Sequence, residues 1–170
     1  KCFTKVVDGT SSVVLDNTYK EYVFIFKDIH PATSDTKLTF QGNAAGGADF
    51  NETITSSSFE TYHNENDADQ GLGYRAAGDQ GQGTAFQELG GGMGNNNDNC
   101  LSGYLHLFNP SSTTFVKHFI ANTQYVYLST YGDNSFTAGY FNTTSAIDEI
   151  QFKMSSGNID AGTITLYGIS

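Results

Sequence analysis

Apolar and polar residues alternate with a period of two along much of this chain, the spacing that turns one face of a β-strand to a core and leaves the other wet. The pattern is clearest near the end. Asp148 to Met154 sets Ile150, Phe152 and Met154 on one side and Glu149, Gln151 and Lys153 on the other. Thr163-Ile164-Thr165-Leu166-Tyr167 alternates again. Between them Ser155 to Gly162 collects glycine, asparagine, aspartate and serine, residues that tolerate positive φ or bond their own backbone, so the chain turns there. Two alternating runs joined by a short turn predict an antiparallel hairpin. A lone hairpin is marginal in water, so the remaining chain must supply a partner sheet.

The same reading extends upstream. Phe3 to Val7 and Val13 to Leu15 are short apolar runs that can pair with each other across the Asp8-Gly9-Thr10 turn. Tyr19 to Ile29 is the longest dense run and carries apolar residues on both faces, which predicts a central strand covered on both sides. His30-Pro31 breaks it, because proline lacks the ladder N–H, and Lys37 to Gln41 resumes. Past Leu101, strands are predicted over 103–109, 114–121, 124–129 and 135–142, with turns at Asn109-Pro110, Asn122-Thr123 and Tyr131 to Asn134. Between Gly42 and Asn99 the character changes, with glycine clusters punctuating weak strands around Phe50 to Ile54, Phe59 to Tyr62, Tyr74 to Ala76 and Ala85 to Leu89. This middle reads as long surface loops and short edge strands, the parts of a rigid β scaffold where recognition usually sits. No helical period competes. The expected fold is all-β, an antiparallel two-sheet sandwich of jelly-roll-like topology with long Gly/Asn-rich loops.

Composition agrees with that reading. A chain of 170 residues is one domain of a size that buries roughly 70% of its unfolded surface. Nineteen glycines against two prolines, with 14% aromatic residues and no tryptophan, suit strands and turns. Charge narrows the partners. A formal net charge of −10 with eight Lys and Arg leaves little with which to neutralise phosphates, arguing against nucleic acid and anionic membranes. No apolar run reaches the roughly 18 residues of a membrane span, so insertion is not expected. The chain opens on Lys1, and residues 1–170 are expected to form a single sandwich domain at the C-terminal end of a longer or processed chain. Cys2 and Cys100 are the only cysteines, and free thiols are favoured over one long-range disulfide.

Candidate chemistry is sparse. Asn64-Glu65-Asn66-Asp67-Ala68-Asp69 is the densest acidic cluster, and calcium takes six to eight oxygens of the kind that Asp67 and Asp69 offer. The run lacks the third ligand and the distal Glu of an EF-hand loop, so the plainer reading is a solvated loop. No other cofactor is indicated. His30, His63, His106 and His118 show no zinc spacing, and neither a Gly-x-Ser-x-Gly elbow nor a phosphate loop occurs. Paired carboxylates could support glycoside hydrolysis, yet eighteen acids make accidental pairs common, and no enzyme is expected. The loops also carry aromatics beside amides, including Phe59, Tyr62, Asn64, Tyr74, Asn97 and Tyr131, along with Phe86 and Phe136. Sugar rings stack on aromatics while amides and carboxylates take the hydroxyls. The alternative is that these rings pin loops to the sandwich or fill a subunit interface.

Gly103 to Phe119 (GYLHLFNPSSTTFVKHF), Ala146 to Phe152 (AIDEIQF) and Ser156 to Gly168 (SGNIDAGTITLYG) together resemble a β-rich domain of tailed-phage virion proteins, in particular those of marine and cyanobacterial phages. Tyr22 to Phe26 and His30 to Thr33 are similar to its first half. The likeness covers both ends of the chain and is one of packing and turns, with no catalytic signature. It implies a non-enzymatic module on the virion surface, in a capsid decoration, fibre or tail appendage, assembled as a homotrimer with other virion proteins. The alternative within that setting is a lectin-like tip that binds host surface glycan.

Overall fold

The computed structural model describes residues 2–6, 11–15, 17–128 and 130–170, with side chains from Leu15 onward. Thirteen strands are formed among them: β1 Cys2–Val6, β2 Ser11–Val14, β3 Glu21–Pro31, β4 Leu38–Ala44, β5 Ile54–Asn64, β6 Gln70–Tyr74, β7 Gly81–Gly83, β8 Gln87–Glu88, β9 Leu101–Phe108, β10 Lys117–Tyr127, β11 Tyr131–Phe141, β12 Ile147–Met154 and β13 Ile159–Ile169. The described residues include no helix long and apolar enough to cross a membrane. Nine strands make one sheet in the order β1-β13-β3-β9-β10-β11-β5-β6, with β7 also on β5, and four make a second in the order β2-β12-β4-β8. The strand pairings are antiparallel. The protein is therefore an all-β, two-sheet sandwich.

Phenylalanines lock the layers together. Phe40 and Phe152 are cross-strand partners in the small sheet. Phe24 and Phe26 from the large sheet meet Phe152 edge-on at 5.0 and 5.4 Å. Phe119 and Phe141 meet Phe40 in the same way at 5.0 and 6.0 Å. All six rings are buried, and at about 1.5–3 kcal/mol of burial per side chain they are a large share of what holds the sheets face to face.

Several pairings depart from the alternation-based reading. β12 and β13 are both strands, as their alternation predicts, but they do not form a hairpin: β12 pairs with β2 and β4, while β13 pairs with β1 and β3. The Ser155 to Asn158 connection, with Gly157 at φ 69°, passes the chain from one sheet to the other. Each strand then aims its apolar face at the same core from opposite sides, and alternation alone cannot distinguish that arrangement from a hairpin. β1 and β2 are likewise parted into different sheets, and the intervening turn lies outside the described residues. β3 is central, between β13 and β9, yet only one face is covered, and Ile25 on the other stands exposed. β4 reverses the expectation, since Leu38 to Asn43 are buried at every position, Thr39 and Gln41 included.

Two further differences shape the site. The middle segment is not mainly loop: β5 is an eleven-residue strand paired to β11 along its whole length. No turn occurs at Asn122-Thr123, because β10 runs straight through and pairs with both β9 and β11. Likewise Tyr131 to Asn134 belongs to β11. Along the inner face of the large sheet the lining therefore changes from apolar to polar, through Phe119, Ala121, Thr123, Tyr125 and Tyr127 on β10, and Phe141, Thr137, Ser135, Asp133 and Tyr131 on β11.

Candidate functional site

This polar end holds a cleft of about 450 Å³, lined by Asp35, Lys37, Glu60, Tyr62, Asp69, Arg75, Gly91, Gly92, Tyr125, Tyr127, Tyr131 and Asp133. Strand register assembles one wall. Tyr125 lies opposite Asp133, and Asp133 opposite Tyr62, so β10, β11 and β5 present these side chains to the same face. The opposite wall is the segment after β8. Leu89 to Gly94 is buried, bridges through Met93 to Thr36 and to Tyr127, and runs flat against the Tyr125 ring. Close approach explains its glycines: a Cβ on Gly90 would stand 3.0 Å from that ring, and one on Gly91 2.6 Å from its hydroxyl. The glycine-rich run predicted to be surface loop is an inner wall of the molecule.

Charge in the cleft is organised by Arg75. Its Nε pairs with Glu60 at 3.1 Å and its Nη2 with Glu88 at 2.7 Å, while Lys37 binds the other Glu88 oxygen at 2.6 Å. Both cations are thereby committed to carboxylates. The Asp133 carboxyl is pushed up to about 6, chiefly by burial and then by the negative charge of Glu60, with Tyr125 and Arg75 pulling back. Burial, and secondarily Asp133, holds the Tyr125 phenol well above the ordinary tyrosine range.

Polar atoms here go unpaired. Tyr125 is 1% and Asp133 6% exposed. The Tyr125 hydroxyl and Asp133 Oδ1 make no hydrogen bond of good geometry among the described residues; the hydroxyl lies between the Gly91 backbone and the Asp133 carboxyl, near enough that phenol and carboxyl affect each other's titration. Arg75 Nη1 and Ser135 Oγ are also unpartnered, so four of the eight such buried atoms fall at this end of the sandwich. An unpaired buried polar atom costs roughly 1–3 kcal/mol, so gathering four of them in one region is a local cost to stability. At the mouth, Tyr131 packs edge-on against Tyr62 and Tyr127, each pair 6.1 Å apart and inclined by 64° and 72°.

Of the residues singled out in the sequence, Tyr62, Tyr131 and Asp69 meet in this cleft, and Tyr131 donates to Asp69 Oδ2 at 3.2 Å. Asn64 holds the β5–β6 turn, its Oδ1 accepting from Ala68 and Asp69 N–H groups at 2.9 and 3.0 Å. Asp67 does not join Asp69; its Oδ1 faces His63 Nε2 at 3.2 Å. Among the described residues no group of three His, Cys, Asp or Glu is arranged to hold a metal ion. Phe59 and Tyr74 are cross-strand partners on the outer face of the large sheet, away from the cleft, and Phe59 stacks on Phe136 at 4.8 Å. Asn97 lines a separate, more open cleft with Asp28, His30, Asp98, Asn99, Cys100, Asp160 and Ala161. Cys100 there is a free thiol, its pKa raised by burial and then by Asp28. Sequence reasoning missed Asp133, Tyr125, Tyr127, Arg75, Glu60, Asp35, Lys37 and the glycine wall. The available signal was the polar series at alternate positions of β11.

Fold and cleft together define a β-sandwich with a recessed, tyrosine-walled cleft at the polar end of its large sheet. No protein-family model matches the chain, and a search of curated proteins finds no match.

Proposed function

We propose that this chain is a non-enzymatic surface module of a tailed-phage virion, and that it holds a host-surface saccharide in the tyrosine-walled cleft. One observation carries the binding half of that reading: a recess floored by the buried Tyr125 and Asp133 side chains and lined by further carboxylates opens through a mouth made of tyrosine rings. Such a site pairs hydroxyls inside and stacks a sugar face outside. The virion setting is supported by the resemblance of the segments around Gly103 to Phe119 and Ala146 to Gly168, and by the acidic charge. Against hydrolysis, Glu60 is tied to Arg75 and Asp69 to the Tyr131 hydroxyl, so Asp133 lacks an equally buried free carboxylate to work with.

A second observation favours the structural-appendage role. Ile25, Tyr104, Phe136, Phe59 and Tyr74 form one transverse row across the outer face of the large sheet, linked by register through Asn122, and all five are exposed. Exposed apolar side chains gathered on one face, here on either side of Asn122, mark an association face. We assign it to neighbouring copies in a trimer, which would present several clefts at once. The test is adsorption of the labelled chain to host cells and, in parallel, to virions stripped of appendages. Cell binding that surface polysaccharide competes away supports the receptor reading. Binding to stripped particles alone would leave a decoration module, and release of reducing sugar would overturn the non-enzymatic assignment.

A further inference from the structure

The cleft is more selective than its tyrosines alone require. Four carboxylates line it, from Asp35, Glu60, Asp69 and Asp133, against the cations of Lys37 and Arg75. Both cations are already bound, Lys37 to Glu88 and Arg75 to Glu60 and Glu88. The field left over is negative. A ligand carboxylate or sulfate would meet like charge, and the basic nitrogen left unpaired there, Arg75 Nη1, is itself buried out of contact with solvent, which disfavours acidic saccharides.

The mouth adds a second element. Tyr62, Tyr127 and Tyr131 are steeply inclined walls, with Tyr131 in contact with both others at 6.1 Å between ring centres. Tilted aromatic walls beside carboxylates are the arrangement that attracts an organic cation, since the ring faces are electronegative and the acids supply net charge. A bare divalent ion is a poorer match, because no three acidic, His or Cys side chains among the described residues converge on one point. The floor is made by Tyr125 and Asp133, almost wholly buried, whose polar ends adjoin and leave the Asp133 carboxyl as the innermost acidic group of the cleft.

From this juxtaposition we infer that the cleft recognises an organic ammonium group on its ligand, seated between the tyrosine walls and facing Asp69 and Asp133. The inference rests on the proposal that the cleft binds a saccharide and narrows it to cation-bearing glycans. Two sources share the chemistry: the free amine of an amino sugar, and the quaternary ammonium of a choline-type substituent.

Calorimetric titration of the full chain with glucosamine, N-acetylglucosamine, choline chloride and glucuronate separates these cases. Glucosamine or choline should bind at least about tenfold more tightly than N-acetylglucosamine, with glucuronate weakest. Glucosamine alone identifies an amino sugar, and choline alone a quaternary substituent. The exposed Asp69→Asn change should weaken the cationic ligand severalfold, and Tyr131→Leu more so, each checked for an unchanged melting temperature. Tyr131→Phe, which keeps the ring, should retain most of the affinity. Equal binding of glucosamine and N-acetylglucosamine would overturn the ammonium inference while leaving the saccharide reading standing. Failure of all four probes, with cell adsorption still lost on Tyr131→Leu, would also overturn it and keep the cleft as receptor site. Failure of the probes with adsorption unaffected by Tyr131→Leu would overturn both.

Discussion

Asp133 makes a stability prediction whose sign is opposite to that of most carboxylates. In the folded protein its carboxyl is pushed from 3.8 to about 6, principally by burial. The folded state thus holds the proton more tightly than the unfolded chain, and between those two values it binds more protons. Stability from this group is fully present below pH 3.8 and is lost as pH rises through about 6. At about 1.4 kcal/mol per pH unit, the loss is on the order of 3 kcal/mol at neutral pH. Asp133→Asn is the clean probe, because the amide mimics the protonated acid in shape and removes the titration. Urea unfolding of both proteins at pH 3.5 and 7.5 isolates the residue, since other titrating groups cancel in the difference. The variant should gain on the wild type by about 2–3 kcal/mol between the two pH values, equivalent to roughly 4–12 °C in melting temperature at neutral pH. A difference that is the same at both pH values, or that favours aspartate at pH 7.5, would refute the reasoning. The first outcome would mean that Asp133 is solvated; the second, that its anion has good partners.

Two further predictions test the architecture. Phe40→Ala, at the meeting point of three other phenylalanines, should cost about 3–5 kcal/mol in denaturant unfolding, whereas Phe59→Ala on the exposed face should cost under about 1 kcal/mol; similar losses for the two would contradict the division into inner and outer faces. Lys117 is fully buried and its Nζ donates to the Phe115 and Thr143 carbonyls, each at 3.0 Å, so Lys117→Met should cost roughly 1–3 kcal/mol despite the matched length, read by the same unfolding assay.

What the sequence made legible was strand existence and one-sidedness. The alternation at Ile150, Phe152 and Met154 is that of a real strand with one buried face, and the chain is all-β as its composition suggests. Pairing was not legible, because a period of two records which face is buried and not which neighbour supplies the hydrogen bonds; β12 and β13 are the clearest case. Asn122-Thr123 has turn composition, yet in β10 the Asn122 amide bonds Asn134 Oδ1 at 2.7 Å and the Thr123 hydroxyl donates to the Leu89 carbonyl, so tertiary partners hold both in extended backbone. The glycine run failed for a related reason: glycine signals a turn or a close approach, and only the Tyr125 ring shows which.

The cleft residues were hard to find because they break the rule used to find strands. On β11, Thr137, Ser135 and Asp133 are polar at alternate positions and therefore read as a wet face, but they point inward, with Ser58 bonding Thr137 at 3.1 Å inside the sandwich. Apolar residues on the same strand, such as Phe136, point outward. This inversion is costly in stability, as Asp133 illustrates, and apolar side chains at the same positions would pack the layers more tightly. Departures from local rules that cluster in one place are commoner at functional or strained sites than in a plain core. Around Phe24 on β3 and Phe152 on β12 alternation and burial coincide, and that end holds the sandwich closed. At the Tyr125 and Asp133 end they conflict, and it is there that unpaired polar atoms, a perturbed carboxyl and three inclined tyrosines occupy one recess.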